Sequence, residues 1–423
     1  MAARAPFLST PHSAYHHRHR PAEDEELTRV GPGTPCGEYL RRFWQPVILA
    51  RELGDLPKRV RILGEDLVAF RDKSGAIGLL ELHCPHRGTS LEFGLVGETG
   101  IRCCYHGWLF DVDGTILETP GEPADSTLKN RLRHGAYKVH EHQGLVFAYM
   151  GPPEKQPPFP RLDTYDLPGY ELAARAPVVW ECNWLQVKEN SMDPAHLAFL
   201  HTLPGSQGFT NDLKELGEWD WMETPVGMVY IDTRRQGDRV WVRVADFILP
   251  NIHQFPPNAD PMAARNSINR PAATTWAVPL DDNHTMQIGY YRTAEGKEPR
   301  RGSGFGQDAS RPYEERQRVP GDYDAQVSIH GGVARHGLEH LASTDRGIIM
   351  MRNLIRRGVR AVRKGLELSH PLLKNGAPVP TYSHDRVVSG IAPAATPDED
   401  RKLLREVARG VVQAAVGEAG IGG

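Results

Sequence analysis

The sequence predicts an α+β chain built in two parts: an N-terminal all-β domain, then a C-terminal domain in which helices lie over an antiparallel sheet. Three observations carry this expectation. Short β-like runs bounded by turn residues fill residues 44–150. The proline-rich stretch GPPEKQPPFP at 151–160 reads as a linker. Beyond it, in 161–423, longer β-like runs give way to a segment whose apolar residues recur at helical spacing. At 423 residues the chain also exceeds what one ordinary core encloses.

Residues 1–43 read as an N-terminal arm that includes HHRHR at 16–20 and the turn-rich GPGTPCG. The histidine tract could bind metal, but nothing beside it is patterned to pack, so a tail is expected. Within 44–150, DLVAF, AIGLLEL, WLFDV and LVFAYM read as strands separated by DKSG and DGT turns. In the second part CNWLQVKENSMDPAHLAFLH (182–201) has helical character. GMVYIDTRR, RVWVRVADFIL, TTWAVPL and TMQIGYYR read as strands joined by QGD and DDNH turns, hence a large antiparallel sheet. Residues 292–321, rich in Gly, Arg and Glu, read as a polar loop. After a cap at Asp345, the positions Ile348, Met351, Ile355, Val359, Val362 and Leu366 mark a long helix able to cover the sheet. A shorter amphipathic helix, EDRKLLREVARGVVQAAVG, closes the chain.

Composition narrows the function. A net charge of −3 gives no general attraction to nucleic acid or an anionic membrane. No apolar run approaches the roughly 20 residues of a membrane helix, and the N-terminus lacks the long apolar middle of a signal peptide. Cys36, Cys84, Cys103, Cys104 and Cys182 are an odd, sparse set. They argue against a disulfide framework and for a reducing cytoplasm.

Two clusters point to metals. CPHRG (84–88) and CCYHGW (103–108) each offer a thiol and an imidazole. A zinc finger usually draws its cysteines from one turn and its histidines from another, whereas mixed loops suit a two-iron cluster with thiolates on one iron and imidazoles on the other. A structural zinc site is the competing reading, and the second loop allows Cys103-x-x-His106 or the tighter Cys104-x-His106. The other cluster, ENSMDPAHLAFLH, carries Asp193, His196 and His201. Its histidines lie about 140° apart on an ideal helix, so they share a metal only if the helix ends or bulges between them. Asp193 also suits capping of the turn before Pro194.

The first cluster resembles the Rieske [2Fe–2S] motif, C-x-H…C-x-x-H, including Gly107 and Trp108. The second resembles the D-x-x-H-x₄-H motif of Rieske non-haem iron aromatic-ring-hydroxylating oxygenases. GDYDAQVS…EHLASTDRGII is similar to the tail of their phthalate dioxygenase-like branch. The resemblance implies a large (alpha) oxygenase subunit whose catalytic part has the helix-grip, START-like architecture. It implies cluster ligands Cys84, His86, Cys103 and His106, with Cys104 a non-ligand departure expected to be buried filler. It also implies a mononuclear Fe(II) held by His196, His201 and Asp322, with Asp324 the competing carboxylate. Asp193 would bridge a Rieske histidine and His196 across a subunit boundary, in a homotrimer or a pair of trimers. No strand-linked G-x-G-x-x-G is present, and GSGFG at 302–306 sits in the polar loop. NAD(P)H electrons would therefore arrive through a separate flavin/iron–sulfur reductase, with or without a ferredoxin between them.

The implied activity is hydroxylation of an aromatic, preferentially aromatic-acid, substrate with O2; O- or N-demethylation is the alternative. Pure electron transfer and non-catalytic binding of a hydrophobic ligand are the rivals from other classes. Expected pocket walls are Val187, Asn190, Ile248, Ile252, His253, Trp276 and Ile288. Arg243, or an arginine of the 292–321 loop, is the expected grip for a carboxylate.

Overall fold

The computed structural model describes residues 21–202, 216–256, 270–297 and 309–421. HHRHR and GSGFG lie outside the described residues. Helices α1 (Glu25–Thr28) and α2 (Pro35–Leu40) come first. This segment is not an arm. Leu27, Val30, Cys36, Tyr39 and Leu40 are buried in the main core. Helices of four and six residues are too short to show a period in the sequence, so burial alone reveals them.

The front half follows as β1 (Gln45–Leu49), β2 (Lys58–Ile62), β3 (Glu65–Arg71), β4 (Ile77–Glu81), β5 (Leu95–Val96), β6 (Ile101–Arg102), β7 (Leu109–Phe110), β8 (Ile116–Glu118), α3 (Leu128–Arg131), β9 (Lys138–His142) and β10 (Leu145–Tyr149). These strands make three small antiparallel sheets, ordered β1–β10–β9, β2–β3–β4 and β5–β6–β7–β8. Residues 151–160 are stitched to this half: Trp44 Nε1 donates to the Pro157 carbonyl, and Phe159 packs on Trp44, His140 and Phe147.

The second half opens with β11 (Tyr170–Trp180), α4 (Trp184–Asn190) and α5 (Ala195–Phe199). There follow β12 (Glu218–Thr224), β13 (Gly227–Gln236), β14 (Arg239–Ile248), β15 (Ile252–Phe255), β16 (Ala273–Asp281) and β17 (His284–Ala294). Then come α6 (Tyr313–Arg318), α7 (Asp322–Val327), α8 (Arg346–Arg363), β18 (His384–Ser389) and α9 (Pro397–Ile421). The eight strands form one antiparallel sheet in the order β11–β17–β16–β15–β14–β13–β12, with β18 on β14. Helices packed against it make the molecule α+β. Within the expected 292–321 loop, residues 292–294 finish β17 and Tyr313–Arg318 are helical, while 298–308 lie outside the described residues.

Helix α8 buries Met351, Leu354, Ile355 and Val359 along one face. It stops at Gly365 (φ +70°), where Leu366 N–H reaches back to the Ala361 carbonyl and Gly365 N–H to Val362. This left-handed C-terminal turn places Leu366 beyond the helix, exposed, rather than on its buried stripe. Asp345 does not cap the helix amides; its carboxylate turns back to accept from Ala342 N–H. Helix α9 starts from a capping box in which Thr396 and Glu399 bond each other's backbone amides. It buries Leu404, Ala408 and Val412 over β12–β14. Among the described residues no helix is long and apolar enough to cross a membrane.

The short helix α4 anchors the second half. Asn183 caps it by accepting from Leu185 N–H, and the same side chain donates to the carbonyls of Thr28 and Asp282. Gln186 donates to the Gln326 carbonyl on α7 and accepts from Ala334 N–H. Buried Glu189 accepts from Arg352 Nε of α8 at 2.5 Å, and that guanidinium also clasps Glu339 at 2.6 and 2.9 Å. Removing one member of a buried ion pair strands the other, at a cost of about 3–5 kcal/mol. Arg352→Met is therefore expected to lower unfolding free energy by about that amount, read from denaturant titration. Adding Glu189→Gln should recover part of the loss, since the stranded charge is then gone.

Candidate metal centres

The two front-half loops fold alike. In each, a glycine amide closes onto the carbonyl of the cysteine four residues earlier, Gly88 to Cys84 at 2.9 Å and Gly107 to Cys103 at 3.1 Å. Both glycines have positive φ, +76° and +75°, which L side chains rarely adopt. The loops present Cys84 and Cys103 inward, buried in an apolar cluster with Leu82, Leu91, Ile101 and Phe110. The imidazoles lie alongside each other, with His86 and His106 centroids 4.5 Å apart and Trp108 stacked flat on His86 at 4.8 Å. Burial pushes the Cys84 thiol up to about 11, and Cys103 beside it adds to the rise against opposing backbone hydrogen bonds. Two buried thiols in contact fit a cation that would take both as thiolates.

Cys104 is exposed, not buried filler. With Cys103 turned into the core, its neighbour on the tight loop points out to water beside Tyr105. The buried thiol is thus Cys103.

The second centre forms where α4, α5 and α7 meet. Helix α5 ends at Phe199 and passes into a single 3₁₀ turn, Leu200–Thr202. The α-helix therefore ends between the two histidines, the condition under which their rings can converge. Their centroids stand 5.2 Å apart. Asp322, at the start of α7, places Oδ1 3.2 Å from His201 Nε2 and 3.6 Å from His196 Nε2. One ligand atom from each of these residues lies within 4.8 Å of the others, close enough to hold a metal ion. Two imidazoles and a carboxylate are the donor set of a facial iron site.

The surroundings tune this trio. Burial raises the Asp322 carboxyl, but the His201 hydrogen bond, both imidazoles and Asn190 outweigh it and hold it below the usual carboxylate range. Burial also lowers His196, against the pull of Asp322 and Asp193. His196 Nδ1 bonds the Asp193 backbone carbonyl, which leaves Nε2 facing Asp322. Asn190 Nδ2 donates to Asp322 Oδ1 at 3.2 Å and lies 3.4 Å from His196 Nε2. Asn190 therefore belongs to the centre itself.

Asp324 is turned away: it accepts from Gly321 N–H and from Arg316 Nε at 2.5 Å, with Arg311 at 3.7 Å. The Asp193 carboxylate accepts from Ala195 N–H at 2.8 Å, so it caps α5, and its other oxygen is 3.8 Å from His196 Nδ1.

Several expected pocket residues are elsewhere. Ile248, Ile252, Trp276 and Ile288 are cross-strand partners in one row and so share a sheet face. Trp276 on that face packs on Phe147 of the front half, centroids 5.5 Å apart. All four belong to the core cluster that the halves share, and Trp276 makes the contact with the front half. His253 lies one residue out of phase, on the opposite face beneath α4, and Val187 is packed among Trp180, Cys182, Ala277 and Tyr323. Arg243 is no free grip, because it pairs with Asp385 at 3.1 Å and donates to the Pro256 carbonyl. Sequence reasoning did not single out Lys188 and Arg175, charged residues of the segments WLQVKEN and ELAARAPVV.

Comparison with known proteins decides the family. The Rieske [2Fe-2S] domain profile matches residues 43–135. The tert-butanol monooxygenase / tert-amyl alcohol desaturase oxygenase subunit of Aquincola tertiaricarbonis is 48% identical over 360 residues, covering 79% of this chain and 76% of that one. The chain belongs to the Rieske non-haem iron oxygenases. The phenoxybenzoate dioxygenase subunit alpha of Ectopseudomonas oleovorans, another relative of this Rieske oxygenase, is 39% identical over 386 residues, covering 86% and 92%. The solved structure of Pseudomonas putida CBB5 NdmA shares the fold, with a TM-score of 0.60 at 20% identity over 78% of this chain and 94% of that chain. As a family member the chain is a terminal oxygenase component that uses a [2Fe–2S] cluster and a mononuclear iron. The donor sets described above fit both groups.

The opposite orientations of the paired cysteines set a direct test. Cys104→Ser should keep the visible Rieske absorption and acid-labile sulfide, while Cys103→Ser should lose both; the reverse pattern would exchange their roles.

Proposed function

We propose that this Rieske oxygenase accepts electrons at a cluster held by Cys84, Cys103, His86 and His106, and oxidises a small organic substrate with O2 at an iron held by His196, His201 and Asp322. The convergence of those last three side chains carries the reading. When bound, the cluster supplies one-electron transfer and the mononuclear iron supplies dioxygen chemistry at positions its three ligands leave open.

The chain's own groups do the rest. Cys84 and Cys103 lie in a dry apolar cluster, while His106 stands at the surface beside the exposed Tyr105, their centroids 3.8 Å apart. That edge suits electron transfer across a protein boundary. Asp193 holds His196 in its metal-facing tautomer through a backbone carbonyl, and its carboxylate is only partly buried. In this reading the carboxylate receives a Rieske histidine of a neighbouring copy, as the bridge between centres in a homotrimer or a pair of trimers. Electrons come from NAD(P)H through a separate reductase, directly or by a ferredoxin. The five free cysteines support a reducing, cytoplasmic setting.

The products to expect are those of hydroxylation, with demethylation as the competing outcome. Oxygen uptake with a surrogate reductase, followed by product mass, separates them: a gain of oxygen marks hydroxylation, and loss of CH₂ with formaldehyde marks demethylation. Asp322→Ala should lose the mononuclear iron while the cluster absorption persists, whereas Asp324→Ala should keep both, by metal analysis. Loss of mononuclear iron in the second variant alone would move the ligand. Asp193→Asn should retain all iron yet slow reductase-driven oxygen uptake by about 10–100-fold. Full uptake would remove the bridge.

A further inference from the structure

The two cluster loops match in more than their cysteines and glycines. In each, the residue before the cysteine pairs antiparallel with the sixth residue after the cysteine, His83 with Ser90 and Arg102 with Leu109. In each, the cysteine amide bonds the carbonyl five places on, Thr89 at 2.9 Å and Trp108 at 2.8 Å. The likeness extends to one side chain. The residue before the cysteine reaches over the loop to the carbonyl of the closing glycine: His83 Nδ1 lies 3.0 Å from Gly88 O, and Arg102 Nη1 donates to Gly107 O at 2.7 Å. A carbonyl can only accept, so His83 Nδ1 carries the proton of its bond.

The second donor brings a permanent charge, because a guanidinium keeps its proton at any pH the protein meets. Strand pairing sets Arg102, Leu109 and Glu118 in one row across β6, β7 and β8. Arg102 crosses Leu109 along that row, and its Nη2 donates to Glu118 Oε2 at 2.6 Å. The guanidinium is thereby held from two sides, by the loop and by β8. Glu118, with 52% of its side chain exposed, is screened by water and offsets that charge only in part.

His86 and His106 each lie between the cysteine and the glycine of their own loop. A bond from outside the turn to its far end therefore limits how far the imidazole can swing, which is how groups behind metal ligands set ligand orientation. A positive charge beside an iron–sulfur cluster also favours the reduced form, which is the more negative one, and so raises the potential. We propose that His83 and Arg102 are positioning residues for the cluster, each holding its loop through the Gly88 or Gly107 carbonyl, and that the fixed charge of Arg102 raises the cluster's reduction potential. The proposal rests on the cluster assignment above, since it concerns how the loops of Cys84, His86, Cys103 and His106 are held.

The test is a redox titration of the cluster-loaded protein at one pH and salt concentration, with acid-labile sulfide followed during mild heating of the same samples. Neither readout depends on turnover. At the wild-type midpoint Arg102→Met should lower the reduced-to-oxidised ratio at least about threefold, which is about 28 mV for one electron. Arg102→Lys keeps both donor and charge and should stay near wild type. Glu118→Gln should move the potential upward, opposite to Arg102→Met, whereas mere damage to the loop would move both the same way. His83→Leu should lose sulfide at least about threefold faster than wild type, the worth of one hydrogen bond, and His83→Asn, which keeps a donor at the Nδ1 position, should not. A wild-type potential in Arg102→Met, shifts of one sign in Arg102→Met and Glu118→Gln, or equal sulfide loss in the two His83 variants would overturn the proposal. If Arg102→Met assembles no cluster, the sign of the Glu118→Gln shift and the His83 pair decide it. Failure of the cluster assignment would appear instead as wild-type protein without iron and sulfide.

Discussion

Helix α4 is the constraint on which the second half depends. Its seven residues are almost wholly buried, yet three of those inside, Gln186, Lys188 and Glu189, are polar or charged. A buried polar group without a partner costs roughly 1–3 kcal/mol, and a buried charge more. Each of these side chains must therefore be met by a different neighbour. Gln186 takes α7, Lys188 takes β15 and Glu189 takes α8, while the cap Asn183 takes the end of α1 and the β16–β17 turn. Four directions of attachment leave little freedom for the residue at its end, Asn190, or for the α5 turn that follows. Through Asn190, the hydrogen bonds that fix α4 also help to set where His196 and Asp322 stand.

How much of this was legible in the sequence depends on how far each feature is local. β13, β14, β16 and β17 run nine residues or more, are rich in β-branched and aromatic residues and bounded by turn residues, and announce themselves by that composition. β11 does not, because Ala173, Ala174 and Pro177 dilute its pattern and a register shift between Arg175 and Val178 breaks its alternation. The ligand types and their order along the chain could be read directly, since thiol, imidazole and carboxylate chemistry is carried by residue identity. The face on which a strand residue points could not. One residue of phase separates Ile252 from His253, and that phase is set by pairing with β16. Walls expected from apolar character therefore turned out to be interdomain core.

Asp322 and Asp324 show the same limit on a smaller scale. Two acids separated by one residue read alike, and what divides them is the company each finds. Arg316 and the Gly321 amide draw one away, while His201 and Asn190 draw the other in. Neither partner is adjacent in sequence to the acid it selects on the metal side.

The junction between halves has a consequence for modularity. A single apolar mass runs from Phe43, Trp44 and Phe147 through Trp276, Ile288 and Tyr290, and the Leu63 and Gly64 amides donate to carbonyls of Pro279 and Leu280 on β16. The cluster-bearing front half is thus a graft that shares its root with the scaffold behind it, not a plug-in electron carrier. Chimeras that exchange it between relatives must carry the matching rows of β15, β16 and β17 with them. A cut at the proline-rich segment would open two raw hydrophobic wounds.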